Sequence, residues 1–217
     1  MALAIFDLDE TLIGTDSDHA WGDYIADQGL VDAELHRAEN LRFYEDYKRG
    51  ELDIFEYLEF SFHVLTQHPI DVLLTHRRNF IEEIIKPHML PKAQALVSEE
   101  RDSGKQLIVV TATNEFITRP IADLFGIESL LAPIPEQIDG VYTGKVFDVP
   151  SFGPGKVTRL KAWMTANSQT FEGSRFYSDS HNDLPLLEVV DEPIAVDPDD
   201  KLRELATARG WSCISLR

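Results

Sequence analysis

Two aspartates one residue apart, Asp7 and Asp9, follow directly on the apolar run Leu3-Ala4-Ile5-Phe6. A short apolar run that meets polar residues predicts a buried strand of a parallel sheet. Asp7 and Asp9 then fall at the carboxyl end of that strand, where open α/β sheets bind ligands. Carboxylates this close repel each other unless a cation or a shared proton intervenes. Mg²⁺ suits such a place, because it takes one or two carboxylates and keeps room for a phosphate.

Three further segments bring polar side chains to comparable positions. Gln106-Leu107-Ile108-Val109-Val110 reads as a strand leading into Thr111-Ala112-Thr113-Asn114, with Thr111 at its end. Gly153-Pro154-Gly155-Lys156 enters a helix. Phe176-Tyr177-Ser178 is a strand ending in Asp179, and Ser180-His181-Asn182-Asp183-Leu184-Pro185-Leu186-Leu187 follows it. The first two strands are roughly 100 residues apart, far too many for one βα crossover. Most of that interval is patterned for helix. Trp21, Tyr24 and Ile25 share a helical face, and Leu35, Leu41, Phe43, Tyr44 and Tyr47 precede the break at Gly50. Ile54, Phe55, Leu58, Phe62 and Leu65 repeat at three and four, and Val72, Leu73, Phe80, Ile84 and Ile85 continue to Pro87. Residues 15–86 are therefore expected to form a helical insertion with its own small core. Residues 1–14 and 87–217 would make the catalytic core. Strands and helices alternate after residue 90, with a hairpin flap within 128–149, which predicts a doubly wound, Rossmann-like parallel sheet.

In order and spacing these four segments resemble the four motifs of the haloacid dehalogenase superfamily of phosphatases. Asp7-Leu8-Asp9-Glu10-Thr11 is similar to its DxDx(T/V) signature. Ser178-Asp179-Ser180-His181-Asn182-Asp183-Leu184-Pro185-Leu186-Leu187 is close to the form found in its phosphoserine-phosphatase-like branch, which also carries a helical cap after the first motif. The resemblance spans the whole chain. It implies Asp7 as a nucleophile that forms an aspartyl-phosphate, and Asp9 as the acid/base for leaving group and water. It implies a Thr111 hydroxyl on the phosphoryl oxygens and Lys156 as the fixed positive charge. Mg²⁺ is expected on Asp7, Asp179 and the Asp9 backbone carbonyl. Asp183 would orient Lys156 or metal-bound water, with Asn182 near the phosphate.

The cap would select the substrate. In phosphoserine phosphatases an acidic residue nine positions after the nucleophile holds the substrate amine, and here that position is Asp16. The arginine that holds the substrate carboxylate has no counterpart: an ungapped match places Ser61 there. An unpaired buried carboxylate is costly. Asp16 and Asp18 therefore favour a small phosphomonoester with a cation and no carboxylate. Histidinol phosphate is the first choice, since relatives with a similar opening after Gly14 are histidinol-phosphatases. Phosphoserine and phosphoethanolamine are the alternatives. Asp16 and Asp18 also suit the capping of the first insertion helix.

The chain of 217 residues carries 20 Lys and Arg against 38 Asp and Glu, a formal net charge of −18. Such a balance disfavours nucleic acid and anionic membrane as partners. The single cysteine, Cys213, allows no internal disulfide and fits a reducing, cytoplasmic setting; a monomer or homodimer is expected. Gly153 to Thr158 is superficially similar to a phosphate-binding P-loop, but Pro150 stands where that motif needs glycine and Val157 follows the lysine. A non-catalytic phospho-acceptor domain also uses carboxylates, a threonine and a lysine. Such domains are shorter, lack the helical insertion, and do not need an acid at the position of Asp9.

Overall fold

The protein was described from a computed structural model covering residues 2–217. Six parallel strands form the main sheet: β1 (Leu3–Phe6), β2 (Gln106–Val110), β3 (Ser129–Leu131), and, after the hairpin strands β4 (Ile134–Ile138) and β5 (Val141–Phe147), β6 (Arg175–Ser178), β7 (Glu192–Val196) and β8 (Ser212–Ile214). Their spatial order is β3-β2-β1-β6-β7-β8. β1 is central, so both of its faces are covered and it can be apolar throughout. Ala4 and Phe6 point to one face, with Val109 and Tyr177. Leu3 and Ile5 point to the other, with Ile108, Val110 and Phe176. Helices α5 (Pro91–Asp102) and α6 (Glu115–Leu124) cover the first face through Val97 and Ile121. Helices α7 (Pro154–Ala166), α8 (Leu184–Leu187) and α9 (Asp200–Arg209) cover the second through Leu160, Leu186 and Leu202. This is the doubly wound parallel sheet expected from the alternation of elements.

The register places Phe6 opposite both Val109 and Tyr177. Asp7, Thr111 and Asp179 consequently emerge side by side at the carboxyl edge. The switch point of strand order, between β1 and its neighbours, is where a crevice opens in such sheets.

Between β1 and α5 lie four helices, α1 (Ser17–Asp27), α2 (Ala33–Arg49), α3 (Ile54–Gln67) and α4 (Ile70–Phe80). The last continues through a π-helical turn, Ile81–Ile85, and a 3-10 turn, Lys86–His88. Aspartate carboxylates cap three of them: Asp16, Asp32 and Asp53 each accept backbone N–H groups of the first turn. Gly50 closes α2 in the left-handed conformation, φ 78°. Helices α1 and α2 approach so closely at Gly22 that a Cβ there would come within 2.5 Å of the Asn40 amide. The expected separate core of the insertion is not present: Trp21, Phe43, Leu58, Phe62 and Phe80 belong to one apolar cluster with Phe6, Val109 and Phe116 of the sheet layer. Three predicted core residues instead face solvent. Leu35, Leu41 and Phe55 are 69%, 54% and 61% exposed, because the insertion is one helix layer thick and has a second, outer side.

The hairpin turns at Asp139-Gly140, both at positive φ, 52° and 78°, as a two-residue I′ loop requires. It lies against α3, with Gly144 close to Thr66.

Candidate active site

Lys156 stands at the centre of the sheet edge. Its ammonium donates to Asp7 Oδ1 at 2.9 Å and to Asp183 Oδ2 at 2.8 Å, and it is 2% exposed. The loop before α7 brings it there. Gly153 takes φ 48°, Pro154 opens the helix, and a Cβ on Gly155 would lie 2.1 Å from the Pro150 carbonyl. Only glycine permits that approach. Asp183 is held in turn by the Ser178 hydroxyl at 2.7 Å. Burial would lower the Lys156 pKa, but the charges of Asp183 and Asp7 raise it above the ordinary lysine value. Asp7 is pushed up to about 7, first by burial, against the pull of Lys156 and with the Asp183 charge adding to it.

Asp179 accepts from the Thr11 hydroxyl at 2.9 Å, and the same oxygen accepts from the Asp179 backbone N–H at 3.1 Å. Its carboxyl is raised well above the usual range by burial and then by the charge of Asp7. Two buried carboxylates, Asp7 and Asp183, thus share one lysine, and half-buried Asp179 adds a third acid beside Asp7 with no cation of its own. A hard divalent cation fits this all-oxygen, underneutralised set. No three His, Cys, Asp or Glu side chains converge on one cation position among the described residues. Mg²⁺ does not need three, since one or two carboxylates with a backbone carbonyl and waters suffice. Asp7 and Asp179 could supply the carboxylates and Asp9 the carbonyl.

Asp9 accepts from the Ser17 backbone N–H at 2.7 Å and from the Thr113 hydroxyl at 2.7 Å. Desolvation raises its pKa, and these hydrogen bonds oppose the rise. Thr111 is buried, and its oxygen accepts from the Thr113 backbone N–H at 3.1 Å, so its own proton is available to an acceptor in the cavity it lines.

That cavity joins the sheet edge to the insertion. Asp7, Asp9, Thr111, Lys156 and Asp183 line one end. Asp16, Asp18, Tyr44, Tyr57 and Ile54 line the other. Lys156 is the one Lys or Arg among the described residues that line it. Asp16 has the capping role anticipated for it: its Oδ1 accepts from the Asp18 and His19 N–H groups at 3.0 and 2.8 Å. It lines the cavity as well. Asp18 is different. Burial pushes its carboxyl up to about 7, and the neighbours that pull it back are the hydroxyls of Tyr57, Ser61 and Thr113. Ser61, the position without the arginine, does not line this cavity; it lies with Asp18 and Tyr57 around a small neighbouring pocket.

Asn182 is placed otherwise than expected: it does not line the cavity. Its amide donates to the Tyr47 carbonyl at 2.9 Å, tying the sheet edge to the end of α2. His181 beside it is half-buried, with Nδ1 2.7 Å from Asp199. The sequence reading also missed Thr11, Thr113, Ser17 and Tyr57. Thr11 and Thr113 lay inside quoted motifs and show their partners only in three dimensions. Ser17 acts through its backbone, which no side-chain pattern marks.

Residues 4–188 match the model of the haloacid dehalogenase-like hydrolase family. A histidinol-phosphatase of Neisseria meningitidis is 43% identical over 219 residues, covering 99% of this chain and 99% of that one. A phosphoserine phosphatase of Mycobacterium tuberculosis is 31% identical over 136 residues, 63% of this chain and 44% of that one. Among solved structures, a Bordetella pertussis protein of unknown function has a TM-score of 0.94 at 41% identity, covering 100% of this chain and 99% of that one. A substrate-bound phosphoserine phosphatase shares the fold, with a TM-score of 0.73 at 19% identity over 98% of this chain and 92% of that one. A family match over most of the length, at a sheet edge that carries all four motif segments, has one meaning: the chain belongs to the haloacid dehalogenase-like hydrolases.

Proposed function

We propose that this hydrolase cleaves a small phosphomonoester through an aspartyl-phosphate at Asp7, and that its substrate carries a cation and no carboxylate, with histidinol phosphate as the best match. The division of the cavity carries this reading. One end holds Lys156 against Asp7 and Asp183; the other holds Asp16 and Asp18 with aromatic walls and no lysine or arginine. A carboxylate at that second end would meet two acids, whereas an ammonium or imidazolium would find Asp18 without a cationic partner. The histidinol-phosphatase name of the Neisseria relative supports the same choice.

An Asp7 oxygen attacks phosphorus as the bond to the leaving oxygen breaks, and Asp9 gives that oxygen its proton, releasing the alcohol. A water then attacks phosphorus, Asp9 takes its proton, and the electron pair of the broken bond returns to the Asp7 carboxylate, releasing inorganic phosphate. Lys156 draws Asp7 toward its ionised form against the opposing effect of burial. Thr111 donates to a phosphoryl oxygen. Bound Mg²⁺ would supply positive charge to the phosphoryl oxygens and the Asp7 carboxylate.

The test is phosphate release over a panel of phosphomonoesters, with Mg²⁺ and with excess EDTA. Activity is expected to vanish in EDTA, with histidinol phosphate ahead of phosphoserine. Full activity in EDTA would end the metal assignment. Phosphoserine as the best substrate would end the substrate assignment.

A further inference from the structure

Both oxygens of the Asp9 carboxylate are occupied, and by two different layers of the protein. The Ser17 backbone N–H, at the start of α1, takes Oδ1 at 2.7 Å. The Thr113 hydroxyl, beyond the end of β2, takes Oδ2 at 2.7 Å. Thr113 is 5% exposed, so water competes little for this bond. Its backbone is fixed as well, since its N–H donates to the Thr111 oxygen at 3.1 Å.

A proton-transfer group must lie within hydrogen-bond reach of the reacting oxygen in a defined orientation. The terminal torsion of aspartate is soft and broadly populated. Asp9 stands just past β1 and needs outside partners to fix that torsion. The two partners differ in kind. A backbone N–H can only donate. A hydroxyl can donate to a carboxylate and accept from a carboxylic acid. Thr113 is thus the partner that keeps its grip on Asp9 whether Asp9 has just given a proton to the leaving oxygen or has just taken one from water. Thr113 also lines the cavity that Asp18 and Tyr57 line.

We infer that Thr113 is a positioning residue for proton transfer: it holds Asp9 Oδ2 in line with the leaving oxygen and then with the attacking water. This rests on the reading of Asp9 as the acid/base. Thr111, in the quoted motif, faces the phosphate; Thr113 serves the proton.

The experiment varies the leaving group. Because kcat/KM reports the steps up to the first P–O cleavage, it isolates leaving-group protonation. A phenyl phosphate series, from p-nitrophenyl to unsubstituted phenyl, spans leaving groups that need the proton little or much. Thr113→Val removes the hydroxyl and keeps the shape; Thr113→Ser keeps the hydroxyl. Asp9→Asn sets the scale of a full loss. In Thr113→Val the ratio of kcat/KM for p-nitrophenyl over phenyl phosphate should rise about tenfold, a fraction of what a complete acid/base contributes. Thr113→Ser should keep the wild-type ratio. An unchanged ratio in Thr113→Val overturns the inference, even if both rates fall together, because a merely structural loss does not distinguish leaving groups. If Thr113→Val does not fold, Thr113→Ala gives the same comparison. Wild-type protein that hydrolyses neither ester, or Asp9→Asn with a wild-type ratio, would bring down the reading of Asp9 itself and not the role of Thr113 alone.

Discussion

The two ends of the cavity are built on opposite principles. At the sheet edge a cation is built in: Lys156 stands between Asp7 and Asp183, and Asp183 is held on Ser178. At the insertion wall Asp18 has only hydroxyls around it, and Asp16 has backbone N–H groups. Pairing inside the protein fixes geometry before a ligand arrives, which is what phosphoryl transfer asks of its groups. A carboxylate without a cation is costly in a buried place and is relieved by whatever positive group enters. On the function proposed above, one end would be preorganised for chemistry common to every phosphate ester, and the other would be completed by the substrate it selects.

The largest effect should come from the preorganised end. Asp7→Asn removes the proposed nucleophile and should cut phosphate release by about four orders of magnitude or more, with no phosphoenzyme recovered after acid quench. Turnover near the wild-type rate would show that the sheet edge works by another route. Next in size is Lys156→Met. It leaves Asp7 and Asp183 as two neighbouring buried carboxylates, and breaking such a pair costs about 3–5 kcal/mol. For a chain of this length that corresponds to a fall in Tm of roughly 10 °C, read by thermal unfolding at pH 7.5. The double variant Lys156→Met/Asp183→Asn should regain part of it. If Lys156→Met alone melts with the wild type, the sheet edge is not held together by the ion pairs described.

The same contrast explains what the sequence could disclose. Asp7, Thr111 and Asp179 each follow a short apolar strand, and strand periodicity together with parallel register sets where the next residue goes. Local pattern was enough to place them at one edge. The order of the strands was not legible, because β1 and β6 come from distant parts of the chain, as do Thr11 and Asp179, 168 residues apart. On the insertion side, helical periodicity identified helices without saying which faces meet. Leu35, Leu41 and Phe55 kept the helical spacing of core residues yet lie outside. Tyr57 and Ser61 come one helical turn apart on α3 to meet Asp18 of α1, a convergence that depends on how the helices cross and not on any motif. Thr113 was written beside Thr111 in one tetrapeptide, and its partner 104 residues earlier appears only once β1 and β2 are paired.

The smaller effects belong to the incomplete end, and Asp18→Asn addresses it in two ways. If Asp18 receives the substrate's cation, kcat/KM for histidinol phosphate should fall about tenfold or more, since one charge-assisted contact contributes about 1.5–3 kcal/mol. The loss with p-nitrophenyl phosphate, which has no cation, should be much smaller. Equal losses on both would show that Asp18 serves the chemistry and not selection. Stability gives the second measure, in EDTA and without substrate. Burial raises the folded-state pKa of Asp18 to about 7, above the ordinary aspartate value of 3.8. The folded protein then binds this proton more tightly than the unfolded chain, so the stabilisation is present below the unfolded value and is lost as pH rises through about 7. At pH 8 the wild type carries an uncompensated buried charge that asparagine lacks. Asp18→Asn should raise Tm by a few degrees at pH 8, on the scale of 2–4 °C per kcal/mol, and by progressively less as the pH falls toward 4. A variant less stable than the wild type at pH 8 would mean that Asp18 already has its countercharge within the protein, and the wall would then have no vacancy for a cation to fill.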